Sequence, residues 1–144
     1  MHVPVQVDYG VRALVDLAQH SGESSVRASD IAQRQGIPEQ YLARVLHSLK
    51  RHGLTKAQRG PTGGHSLALD PSEITMGAVM NYLSTPSYLV TCLDDAGNCE
   101  HSSGCGQRTV WQDVEAAMWQ VLNGTTIADL VARMPALERE KVPA

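Results

Sequence analysis

With 144 residues, 42% of them hydrophobic and 19% charged, the chain is long enough to bury one core, with at most a small appendage. Its opening residues, M-H-V-P-V-Q-V-D, lack the basic flank and apolar run of a signal peptide. No segment reaches the ~18 apolar residues of a membrane span, so the expected setting is cytoplasmic, with no membrane partner. The net charge of −3 conceals an asymmetry: Met1 to Leu69 holds eight Lys or Arg against five Asp or Glu, and Asp70 to Ala144 holds four against ten. A basic first half and an acidic second half suggest an anionic partner for the first half only.

Val7, Val11, Leu14 and Ala18 recur at helical spacing, which predicts an amphipathic helix from Val7 to about His20. Asp8 sits in its first turn, where a carboxylate complements the helix dipole. S-G-E-S-S breaks this helix. A-S-D-I-A-Q-R-Q-G predicts a short second helix with Ile31 and Ala32 inward, and Gly36 is placed for the left-handed conformation that ends it. Pro38 suits the first helical position of a third helix, Glu39 to His52, whose inner face is Leu42, Val45, Leu46 and Leu49. Short helix, glycine turn and longer helix make the outline of a helix-turn-helix.

The outer side of that third helix and its continuation strengthen the reading. Arg44, Lys50, Arg51, Lys56 and Arg59 are cations in a stretch that has no acid among them, with His47 and His52 between. Leu54–Gln58 and Ser66–Leu69 are expected to be strands joined by R-G-P-T-G-G-H. A glycine-rich basic joint of this kind fits a wing that lies along a duplex backbone or enters a minor groove. By position, Gln40, Tyr41 and Arg44 are expected to reach base edges, with Arg44 placed for a guanine. Lys50 and Arg51 are expected on phosphates, and Arg59, Thr62 and His65 on the wing.

After D-P-S-E-I-T, Thr75 is a plausible N-cap for a short helix through Val79 to about Leu83. The stretch T-C-L-D-D-A-G-N-C-E-H-S-S-G-C-G then holds all three cysteines, Cys92, Cys99 and Cys105. Its glycines, serines and asparagine let the backbone bend three thiols toward one point. An odd number of cysteines in a chain of this size argues against a disulfide framework, and thiolates suit an iron–sulfur cluster or zinc. A long helix follows from about Gln107 to Leu122, with stripes Val110, Val114, Ala117, Val121 and Trp111, Met118, Leu122. So much apolar surface most simply pairs with its copy in a homodimer. Asn123 and Gly124 stop it, Thr126 caps a last short helix, I-A-D-L-V, and the tail from Pro135 is expected to fray.

V-D-Y-G-V-R-A-L, I-A-Q-R-Q-G-I-P-E-Q-Y-L, R-G-P-T-G-G-H, the cysteine triplet and T-I-A-D-L together resemble the Rrf-type winged-helix iron–sulfur regulators, over about Val3 to Val131. The resemblance implies a mainly α fold with a small β-wing: a winged helix-turn-helix plus a long dimerisation helix. It implies a DNA-binding domain over 1–85, a cysteine-rich cluster-binding loop over 86–106, and a dimerisation helix with a short C-terminal helix over 107–134, on which the first helix packs. Residues 135–144 would be a flexible tail. It further implies a homodimer on palindromic double-stranded DNA, and a 2Fe–2S or 4Fe–4S cluster on Cys92, Cys99 and Cys105. Two departures matter. The spacing is C-x6-C-x5-C where IscR-like members have five and five, and Arg108 stands where those members carry a ligating histidine. Arginine has no lone pair to offer iron. The opening T-D-Y-G-L-R-A-L of the NsrR-like branch is closer to this chain, and in that branch the aspartate can ligate from the partner subunit. This makes Asp8 a candidate ligand in trans, with Glu100 and His101 as local alternatives.

The function so implied is a non-enzymatic transcriptional regulator, a repressor in its simplest form, whose operator affinity answers to nitric oxide, redox state or iron and cluster supply. Recognition helices of a dimer must sit a helical turn or its multiple apart, so a small shift between subunits is enough to change affinity. A winged-helix regulator with a structural zinc on the cysteines and His101, or with no metal, is the alternative. A thiol or electron-transfer protein is more remote, since no C-x-x-C is present. No spacing suggests a hydrolase.

Overall fold

The computed structural model describes residues 2–22, 25–85, 89, 93, 100 and 104–141, the last seven by the course of the backbone. Helix α1 spans Val5–Gln19, α2 Ala28–Gln35 and α3 Glu39–Arg51. Strands β1, Thr55–Gln58, and β2, Gly64–Leu67, pair antiparallel with Lys56 opposite Ser66 and Gln58 opposite Gly64. A 3-10 turn at Pro71–Glu73 leads to α4, Met76–Leu83. Helix α5 spans Gly106–Gly124, and α6 spans Ile127–Lys141. The architecture is mainly helical with a small two-stranded wing, as expected.

Helix α1 is the central element and packs on α2, α3, α4, α6 and β2. Helix α3 splits its apolar face between two clusters. Leu42 and Leu46 meet Ile31, Ala32 and Ile37 beside Ala13 and Leu17 of α1. Val45 and Leu49 join Leu14, Leu54, Ile74, Val79, Met80, Leu83 and Ile127. Each such leucine, fully enclosed, contributes about 2 kcal/mol of burial, and together they hold α3 against the body while its other face stays in solvent. Gly36 closes α2 at φ 65°, a left-handed conformation that a side chain disfavours.

The caps expected from the sequence form. The Thr75 hydroxyl accepts from the Ala78 amide at 3.1 Å. Thr126 and Asp129 cap α6 reciprocally, at 2.9 and 3.1 Å. Backbone bonds Met76 N–H to Thr125 O and Ile127 N–H to Ile74 O, both 2.9 Å, tie the starts of α4 and α6 together. The chain that leaves along α5 is thereby returned to the core, where α6 packs on α1.

Four boundaries differ from expectation. Pro38 is the N-cap of α3, with extended ψ 131°, and not its first helical residue. Strand β2 begins at Gly64 instead of Ser66, because Val26 pairs with His65 through backbone bonds of 2.7 and 2.8 Å and draws the strand two residues earlier. A Cβ at Gly64 would lie 2.5 Å from the Val26 carbonyl oxygen, so only glycine fits this approach. Asn123 and Gly124 remain helical, with Thr125 as C-cap. Helix α6, expected to stop before Pro135, runs on to Lys141. Pro135 removes one ladder bond, but A-L-E-R-E-K beyond it is strongly helix-forming.

Candidate nucleic-acid interface and cysteine segment

Gln40, Ala43, Arg44, His47, Lys50 and Arg51 are all exposed on α3, and their spacing of three and four puts them on one side of the helix. Glu39 is the only acid of α3, and it stands at the N-terminal end, where the dipole favours it. The remaining charge of this face is cationic. Tyr41 is half-buried: its ring meets Tyr9 of α1 edge-on, with centroids 5.2 Å apart. It also lines a cavity of about 130 Å³ with Gln6, Arg44, Val45, Ser48 and Leu83. Expected as a base contact, Tyr41 is at least partly a packing residue.

The wing is more restrained than a free glycine-rich loop. Ser25 Oγ donates to the Thr62 carbonyl at 2.7 Å, and the Arg27 guanidinium donates to the Pro61 carbonyl at 3.3 Å. The Val26–His65 pairing lies between them in sequence and acts as a third, one-residue strand. Arg59 and Thr62 are exposed at the tip. His65 is different. It lines a cavity of about 220 Å³ between the wing and the end of α1, with Leu17, His20 and Val26. Burial, and then the charge of Lys50, hold its pKa below the usual value, so the imidazole is neutral at pH 7. Its place is under the wing, where it adds no cation to the surface.

A buried cluster that the sequence did not announce fixes the angle of α2. Asp16, with none of its surface exposed, accepts two bonds from Arg34, at 2.7 and 2.9 Å, and one from the Gln35 amide at 3.0 Å. His20 lies 3.6 Å from the same carboxylate. Burial works to raise the pKa of Asp16. The bonds from Arg34 and Gln35 and the charges of Arg34 and His20 outweigh it, and the carboxyl stays below its usual range. The only sequence signal was an acid, Asp16, interrupting the apolar run A-L-V-D-L.

Of the predicted metal ligands, Cys92 and Cys99 lie outside the described residues, as does His101. Cys105 is half-buried at the N-cap of α5, with no side-chain cap bond. Glu100 is exposed. Among the described residues, no three His, Cys, Asp or Glu side chains gather as a metal site. Asp8 is half-exposed and pairs with Arg12 one turn on, at 3.0 Å. It also borders an apolar cavity of about 400 Å³ with Val3, Val7, Val11 and Met76. Arg12 further donates to the Gln35 carbonyl at 3.2 Å, linking the Asp8 pair to the end of α2.

The segment that carries the cysteines follows α4, an element fastened to α3. Tyr82, in the last turn of α4, stacks on His52 at the end of α3, with centroids 4.5 Å apart and planes 17° apart. Beyond the segment, α5 exposes Val110, Val114 and Val121 at 56%, 45% and 66%, on one side of the helix.

The family model of Rrf2, described as an iron-dependent transcriptional regulator, matches residues 4–133. The chain belongs to the Rrf2 family. It is 36% identical over 129 residues to the HTH-type transcriptional regulator IscR of Serratia proteamaculans, covering 90% of this chain and 78% of that one. Protein rrf2 of Nitratidesulfovibrio vulgaris is 35% identical over 131 residues, covering 91% and 87%. Among solved structures, T. potens IscR superposes with a TM-score of 0.76 at 30% identity, covering 100% of this chain and 93% of that one. CymR, the global cysteine regulator of B. subtilis, gives 0.79 at 30% identity, covering 92% and 97%. The Rrf2 member described here is thus a transcriptional regulator and not an enzyme. Among its described residues, no helix is long and apolar enough to cross a membrane.

Proposed function

We propose that this Rrf2 regulator binds double-stranded, palindromic DNA as a homodimer, with α3 in the major groove and the wing on the neighbouring backbone. The observation that carries this is the exposed side of α3, where Arg44, His47, Lys50 and Arg51 line up over a fully apolar, buried inner face. Gln40 and Arg44, on the first turns, are the base-reading candidates, while Lys50, Arg51, Arg59 and Thr62 contact phosphate and sugar. The Val110, Val114 and Val121 stripe of α5 supplies the surface for the second copy. Affinity for duplex DNA is expected to fall steeply between low and physiological salt. A flat response, measured by fluorescence anisotropy, contradicts the assignment of α3 and the wing.

We further propose that Cys92, Cys99 and Cys105 hold an iron–sulfur cluster, as in the NsrR-like branch, with Asp8 of the other subunit as candidate fourth ligand. Support comes from Cys105, a part-buried thiol at the N-terminus of a helix of 19 residues, where first-turn backbone amides without helical partners can donate to a bound sulfur. Three soft sulfurs suit such a group, and a hard carboxylate oxygen would be its weaker, labile ligand. When bound, the cluster supplies a centre sensitive to nitric oxide, oxidants and iron supply. The chain itself connects that region to DNA reading. The residues between α4 and α5 start from Leu83, which shares a core cluster with Val45 of α3, and from Tyr82 stacked on His52. They end on α5, the dimer surface. The state of this segment would therefore set how two reading helices stand relative to each other, in a repressor that leaves its operator when the spacing changes. Anaerobically purified protein is expected to be brown and to contain iron and sulfide. Colourless protein with stoichiometric zinc refutes the cluster.

A further inference from the structure

Arg27 belongs in sequence to neither the reading helix nor the wing, yet the fold delivers it to the wing tip. The pairing of Val26 with His65 brings the start of α2 alongside β2, and the Arg27 guanidinium reaches the Pro61 carbonyl at 3.3 Å. Its residue is exposed, and among the described residues no carboxylate pairs with it. A guanidinium has five N–H donors, so one bond to Pro61 leaves most of them available. Arg27 is also the N-cap of α2, whose first turn already carries the exposed Asp30, so the helix end itself adds nothing for an anion. The guanidinium is what the wing tip presents, held at Pro61 next to the exposed Thr62. Its remaining donors suit a phosphodiester oxygen.

We propose that Arg27 is a DNA phosphate contact, forming one clamp with the wing tip. The inference rests on the DNA-binding reading above and adds a residue to it. The rival role is mechanical: Arg27 would only brace the wing, as Ser25 does through its 2.7 Å bond to the Thr62 carbonyl. The salt dependence of binding separates the two roles. Full-length wild type, Arg27→Ala, Arg27→Lys and Ser25→Ala are titrated with a mixed-sequence DNA duplex across a range of salt. Arg27→Ala is expected to weaken binding about tenfold at physiological salt and to reduce the slope of log affinity against log salt by about 0.9 for each copy bound. Arg27→Lys keeps the slope, and Ser25→Ala, which loses a brace but no charge, keeps it too. An unchanged slope in Arg27→Ala overturns the proposal, and so does an equal drop in Ser25→Ala. Wild type that shows no salt-dependent binding fails the DNA reading itself, a result distinct from the failure of Arg27 alone.

Discussion

Helices α3 and α5 are both amphipathic, but they end differently. The apolar face of α3 is fully consumed within the chain: Leu42, Val45, Leu46 and Leu49 are all buried, and the exposed charge beyond Glu39 is cationic. Helix α5 has no buried residue at all, and Val110, Val114 and Val121 face outward. Helix α3 therefore satisfies its apolar face within the chain and presents charge outward. Helix α5 presents apolar surface outward, and burial is what it lacks. The proposed function gives the first helix to an anionic polymer and the second to a surface like its own.

The contrast can be broken most severely from the inside. Leu42→Ala or Leu46→Ala is expected to cost about 3 kcal/mol or more, by loss of burial and an unfilled cavity, read from the urea midpoint. Val114→Ala removes an exposed group and should leave the fold of the single chain within about 0.5 kcal/mol. Val114→Asp should instead abolish self-association in sedimentation with the helical signal intact. If it does not, the stripe has some other cover.

Asp16 comes next. Replacement by Ala removes the buried acceptor of two Arg34 bonds and one Gln35 bond and is expected to cost about 3 kcal/mol, somewhat less than for a fully buried pair because Arg34 is partly exposed. Its pH dependence has a definite sign. The folded carboxyl titrates below the unfolded one, so its stabilisation is complete above the unfolded value near 4. It is lost as pH falls through the lower folded value. Thermal melts across that acid window should show a shallower decline for Asp16→Asn than for wild type.

On the charged side, effects are smaller and divide by role. Arg44→Ala is expected to lose about 1–3 kcal/mol on a specific operator and to relax discrimination at one position, while Lys50→Ala weakens all sequences alike and lowers the salt slope. The smallest effect concerns Arg12. Its pair with Asp8 is half-exposed and contributes at most about 0.5 kcal/mol, and its bond to the Gln35 carbonyl is also exposed, so Arg12→Ala should move the melting temperature little. If Asp8 does ligate the cluster, the same variant frees its carboxylate, and the visible spectrum should change although stability does not. Asp8→Ala with an unaltered spectrum removes Asp8 from the ligand set.

Local chemistry made much of this molecule readable. The period of the apolar residues, Gly36 in its left-handed turn, and the Thr75 and Thr126 caps each act within a few residues, so α1 to α4 and the start of α6 follow from the chain alone. The clustering of three cysteines and the run of cations after Leu42 likewise needed no coordinates. What depended on tertiary structure were the contacts between segments distant in sequence. His65 looks like a wing contact until Val26 pairs with it and its half-buried ring lines the cavity behind. Asp16 looks like a misplaced acid until Arg34, eighteen residues on, arrives to meet it. Arg27 looks unremarkable until the wing is brought to it. The physical reason is the same in each case: a side chain's charge and exposure are set by what the rest of the chain places against it, whereas helix period and capping are decided within a single turn.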